Sequence, residues 1–189
     1  MAIKDATVVT LAEMRTFLNL PTAETGQDSL LESLLDGVNA AVEKYLGVAL
    51  INTSYTEYYD GDGGNILFLR HYPIISVTSL TDGTTTISSD DYHLYSNEGY
   101  IILDGDYFEE DYRNVVVVYT AGHGAARANV PDDIKTAIKL WVSYIHKKDN
   151  AAFSQRFGEP VIVQEGAYQM PRDVAFILEP YRIKRLGAV

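Results

Sequence analysis

Three features of the chain have residue types and spacings that could do chemistry. The first is VVVVYTAGHGAARANVPDDI, Val115 to Ile134. A valine run, a Gly-x-Gly and then a helix start is how a dinucleotide-binding loop begins. Such a loop works because its glycines lead directly into a helix N-terminus, whose free N–H groups and positive dipole end face the phosphate. Here the third glycine of G-x-G-x-x-G, counted from Gly122 and Gly124, falls on Arg127. The better helix start is Pro131, a residue suited to the first helical position, with Asp132 and Asp133 favouring the dipole in the first turn. Those two carboxylates would also repel a phosphate. No G-x-x-x-x-G-K-S/T occurs in the chain either. The stretch therefore reads as a connection between two structural modules.

The second is DGDGGN, Asp60 to Asn65. Asp60 and Asp62 suit positions one and three of a calcium loop, but glycine is needed at position six and a carboxylate at position twelve. Asn65 and His71 stand there instead. The expectation is a glycine-rich hairpin turn between a tyrosine strand and a leucine strand. The third is the set of histidines His71, His93, His123 and His146, scattered without H-x-x-x-H or H-E-x-x-H spacing. Neither a metal site nor a triad is expected of them. No G-x-S-x-G elbow occurs, and cysteine is absent, which removes disulfides, thiolate metal sites and cysteine nucleophiles. Carboxylates are plentiful and are expected to form a solvated acidic face. No catalytic, cofactor-binding or metal-ligating residue is assigned, and no cofactor is implied.

The elements that carry these residues belong to a globular chain of 189 residues, 47% hydrophobic and 22% charged. No apolar run approaches a membrane span. The opening MAIKDATVVTLAEM lacks a hydrophobic signal region, so secretion by that route is not expected. Absence of cysteine fits synthesis in a reducing cytoplasm. Net charge is −11. Nucleic-acid binders usually present a basic patch, so the chain as a whole is expected to repel DNA. Tyrosine is abundant, 14 against 6 phenylalanines, as suits half-buried strands and protein interfaces.

Along the chain, Thr10 to Glu13 forms a capping box, followed by the apolar stripe Leu11, Met14, Phe17 and Leu18, with Pro21 closing the helix. DSLLESLLDGVNAAVEKYLG is the strongest helical pattern, with Ser29 and Glu32 as a capping box and Gly47 as C-terminal cap. Gly37 inside it costs about 1 kcal/mol against alanine, which a close helix crossing would explain. From about Ser54, short β-branched and aromatic runs alternate with Gly, Asn and Asp turns, the pattern of a small antiparallel sheet or sandwich. Pro73 belongs at a strand start or edge. No Lys or Arg lies between Arg70 and Arg113, so this segment is strongly acidic. Helix returns at Pro131, with Ile134, Ala137, Ile138, Trp141, Tyr144 and Ile145 as its apolar face and Lys147 and Lys148 in its last turn. DNAAFSQRFGEPVIVQEGAYQMP reads as an extended arm or loop. A final helix begins near Pro171, buries Val174, Ile177, Leu178 and Tyr181, and is bent or divided by Pro180. The fold class is α+β: a helical core, residues 1–50 and 126–189 with a helix pair at each end, carrying an inserted antiparallel β module, residues 51–125.

The ordered set TLAEMRTFLNL, DSLLESLLDGVNAAVEKYLGVAL, LRHYPIISVTSL, DYHLY, VVVVYTAGHG, VPDDIKTAIKLWVSYIHKK and VAFILEPYRI resembles the head–tail connector, or adaptor, proteins of tailed bacteriophages and their longer relatives. The resemblance spans nearly the whole chain. It departs at HKKDN, where an arginine-containing ending is expected. It implies a non-enzymatic virion protein, with copies in a ring of roughly twelve between the portal protein and a tail or stopper protein. Such a ring continues a DNA channel without specific DNA binding and meets no membrane. The basic tail, Arg182, Lys184 and Arg185, suits docking onto a partner. The alternatives are another neck or tail-completion protein, or a metal- or ligand-binding or enzymatic domain using the acidic β module.

Overall fold

The computed structural model describes residues 7–21, 25–154 and 169–183, which fall into two compact units. The first takes its described residues from Met1–Leu46 and Arg127–Arg182, the second from Gly47–Ala126 with Ile183.

The first unit is helical. Helix α1 spans Leu11–Phe17, and its capping box forms as the residue types require: Glu13 N–H donates to Thr10 Oγ1 at 3.1 Å while Thr10 N–H donates to Glu13 Oε2 at 2.7 Å. The helix stops at Leu18, ahead of Pro21, where Asn19 turns the backbone with φ 55°. Helix α2, Asp28–Leu46, starts one residue before Ser29, so Ser29 lies in the first turn rather than at the cap. Leu31, Leu35, Val38, Val42 and Leu46 are buried along one stripe. Arg15 pairs with Asp28 and donates to the Pro21 carbonyl at 2.6 Å, tying α1 to the start of α2.

Gly37 has nothing within 4 Å of where a Cβ would stand, so no close helix crossing explains it among the described residues. Helix α3 spans Asp132–Ser154, with Pro131 just before it. It runs past Lys147 and Lys148 and takes in DNAAFS, the first part of the segment expected as an arm; residues 155–168 lie outside the described residues. Those six residues lack an apolar stripe, and Ala and a continuing hydrogen-bond ladder are enough to extend the helix. Tyr144, expected in the apolar face, is exposed and donates to Asp173 at 3.3 Å. Helix α4, Arg172–Leu178, gives way at Pro180 to a 3₁₀ turn, Glu179–Tyr181.

The second unit contains two antiparallel sheets rather than one. β1 (Thr53–Gly61), β3 (Ile74–Asp82), β4 (Thr85–Ile87) and β7 (Asp111–Ala121) form a sheet in the order β1-β7-β3-β4. β2 (Ile66–Phe68), β5 (Tyr92–Tyr95) and β6 (Tyr100–Leu103) form the other, in the order β2-β6-β5. Pro73 immediately precedes β3. The valines of β7 alternate: Val115, Val117, Tyr119 and Ala121 are buried, and the residues between them half-buried.

DGDGGN is not a hairpin turn, because β1 pairs with β7 and β2 with β6. It carries the chain from one sheet to the other. A Cβ on Gly61 would stand 1.8 Å from the Glu109 carbonyl oxygen, so only glycine fits this passage.

Candidate functional site

Strand alternation sends Tyr55, Glu57 and Tyr59 to one side of β1 and Thr56, Tyr58 and Asp60 to the other. The inward side builds a cluster around Glu57. Its Oε2 accepts from Tyr119 Oη at 2.8 Å and from Tyr59 Oη, and its Oε1 lies 2.9 Å from His71 Nδ1. Tyr55 stacks on the His71 ring at 4.0 Å between centroids. Backbone joins in: Arg70 N–H donates to Tyr59 Oη at 3.0 Å and His71 N–H to Tyr119 Oη at 3.1 Å.

Burial alone would raise the Glu57 carboxyl, but hydrogen bonds from His71, Tyr59 and Tyr119 outweigh it and hold it at about 2. Burial, then the Glu57 carboxylate, pushes both phenols above their ordinary value. These hydrogen bonds hold the carboxylate in place and pin Arg70–His71 against β1 and β7.

A groove of about 540 Å³ is lined by β1 residues from both sides of the strand, Thr56 to Asp60, together with Arg70, Tyr112 and Arg113. Arg70 lies over the Tyr59 ring at 5.0 Å and Arg113 over the Tyr58 ring at 5.1 Å. They are the only Lys or Arg between Gly47 and Ala126, a segment with twelve Asp and Glu. Arg113 sits beside the register shift between Tyr59 and Gly61, at φ 53°, with its N–H donating to Asp60 Oδ1 at 2.8 Å. Neither guanidinium forms an ion pair with a described residue. Tyr58 is 46% and Tyr112 80% exposed. In the sequence, Arg70 and Arg113 stood out only as the two ends of a basic-free stretch. Their convergence depends on β1 pairing with β7.

Of the residues singled out in the sequence, Asp60 lines the groove and His71 joins the Glu57 cluster, while the others lie elsewhere. Arg182 stacks over Tyr45 at 5.0 Å and stands 3.9 Å from Glu179; Lys184 and Arg185 lie outside the described residues. The Gly-His-Gly turn is a strand-end closure: Asn52 N–H donates to the Gly124 carbonyl at 2.9 Å and Gly122 N–H to the Pro73 carbonyl at 3.1 Å. In the calcium-like loop, Asp60 accepts from Arg113 and Asp62 from Gly64 N–H at 2.8 Å. Among the described residues no group of three or more His, Asp or Glu could hold a metal ion. His71 joins the Glu57 cluster, His93 is exposed on β5, and burial lowers the pKa of His123. His146 is buried with Nε2 2.6 Å from Gln27 Oε1. No described helix is long and apolar enough to cross a membrane.

A family model described as head completion protein matches residues 7–184. No curated protein is a significant sequence match. Among solved structures, the chain is similar to one in the neck of an empty gene transfer agent particle computed with C6 symmetry, with TM-score 0.65 and 23% identity. It is also similar to one in the neck of the native particle computed with C12 symmetry, with TM-score 0.63 and 22% identity. A chain of the native gene transfer agent virion matches equally, with TM-score 0.63 and 22% identity. Each of these likenesses covers 100% of this chain and 96% of the other, and they show a shared fold.

Proposed function

Because the chain belongs to the head completion protein family, we propose that it works as a structural virion protein, a head–tail adaptor at the neck of the particle. The observation that carries this reading is the family match across residues 7–184, nearly the whole chain. Copies assemble into a closed ring of about twelve, in keeping with the C12 symmetry of a neck that holds a chain of the same fold. One side of the ring meets the portal and the other a tail or stopper protein, and DNA passes through the middle. The role is mechanical, without a catalysed reaction, and a ring of chains each at −11 suits a lumen that a polyanion crosses without sticking.

The reading is tested by producing particles without this chain. Filled heads and free tails should accumulate unjoined, and adding the purified protein should join them. Tailed, infectious particles lacking the chain would overturn it. A cryo-electron microscopy map of the complete neck would then identify what lies on each side of the ring.

A further inference from the structure

Resting on the ring reading, we infer that the arginine–tyrosine groove of β1 and β7 receives the acidic segment Asp104–Asp111 of a neighbouring copy of this chain. A closed ring with head-to-tail contacts needs two different, complementary patches on each subunit. The second unit supplies two such patches. The only two Lys or Arg among its described residues converge on one groove, each guanidinium over a tyrosine ring and neither in an ion pair with a described residue.

The complement lies between β6 and β7, in DGDYFEED. Asp104, Asp106, Glu109 and Glu110 are exposed there, and Tyr107 is 67% exposed. The segment is anchored from below by buried Phe108, and by Glu109 N–H donating to Asp82 Oδ2 at 2.7 Å. Among the described residues, none of its carboxylates pairs with a cation of its own chain. Arginine and tyrosine are the side chains that concentrate binding energy at interfaces, and a guanidinium fork matches a carboxylate.

Copies that each carry −11 repel one another wherever like charges meet, so a productive contact must set the scarce cations against carboxylates.

The test places a photo-crosslinking phenylalanine analogue at Tyr112 and assembles particles from a mixture of isotopically light and heavy chains. Irradiation should give a ladder of multiples of the chain, with light-to-heavy adducts mapping to Asp104–Asp111. Adducts confined to another neck protein or to DNA, or no adducts at all, in particles whose neck shows the ring by cryo-electron microscopy, would overturn the groove assignment and leave the adaptor reading standing. Necks without any copy of the chain would overturn both. As an independent arm, R70Q/R113N should keep the wild-type circular dichroism and lower head–tail joining at least tenfold; asparagine tolerates the positive φ of Arg113. Wild-type joining by the folded double variant would count against the inference.

Discussion

Tyr119 Oη on β7 donates a 2.8 Å hydrogen bond to Glu57 Oε2 on β1, joining residues 62 apart in sequence at the centre of the β unit. Tyr59 and His71 complete the shell around that carboxylate. A charge so buried persists only because it is fully hydrogen-bonded, and its loss leaves two phenols and an imidazole without their acceptor.

Glu57 makes stability depend on acid. Its folded pKa of about 2 lies below the ordinary 4.5, so its contribution is fully present above pH 4.5 and is lost as pH falls from 4.5 toward 2. Glu57→Gln should lower stability at pH 7 by about 1–3 kcal/mol. The gap between the two proteins should narrow below pH 4.5. Urea denaturation across pH 2–7 measures this, and parallel curves would contradict it.

Two glycines should respond in opposite directions. Gly122 has φ 152°, and a Cβ there would stand 2.7 Å from Asn52 Cα, so Gly122→Ala should cost about 1–3 kcal/mol. Gly37 has open space around it, so Gly37→Ala should stabilise by about 0.5–1 kcal/mol. Thermal midpoints of the two variants decide both signs.

The helical unit should fold without the β unit. The chain leaves α2 at Leu46 and re-enters the same unit at Arg127. Excising Gly47–Ala126 and bridging the gap with a flexible linker should leave a soluble helical protein. A shortened chain with no helical circular dichroism and no cooperative melting transition would refute this.

Reversing the tail charges Arg182, Lys184 and Arg185 to glutamate should block tail attachment. Folding should be nearly unaffected: the cation–π contact to Tyr45 and the 3.9 Å pair to Glu179 are exposed and contribute about 1 kcal/mol at most. Normal head–tail joining by the folded triple variant would show that the tail is not a docking element.

Duplex DNA should not bind at physiological salt. Binding requires several cations facing phosphates, and the stretch Gly47–Ala126 offers only Arg70 and Arg113 among twelve carboxylates. Fluorescence anisotropy checks this. Saturable micromolar binding that weakens steeply with added salt would mean that the channel grips its DNA.

What the residues determine by themselves is local. The Thr10–Glu13 cap, the leucine stripe of α2 and the start of α3 just after Pro131 are readable because helix periodicity and capping act over three or four residues. The strands show through their β-branched and aromatic runs for the same reason. The order of these pieces also carried the resemblance to head–tail connectors.

Tertiary structure decided the rest. Nothing in TSYTEYYDG distinguishes Glu57 from a surface carboxylate until Tyr119 and His71 arrive from 62 and 14 residues away. The turn at Asp60–Asn65 has the composition of a hairpin, and only the pairing of β1 with β7 and of β2 with β6 makes it a crossing between sheets. Arg70 and Arg113 are 43 positions apart in the chain and become one groove because β7 lies beside β1. Burial, ion pairing and groove shape depend on which distant segments meet. Loop closure and long-range strand pairing set those meetings, and short-range periodicity does not encode them.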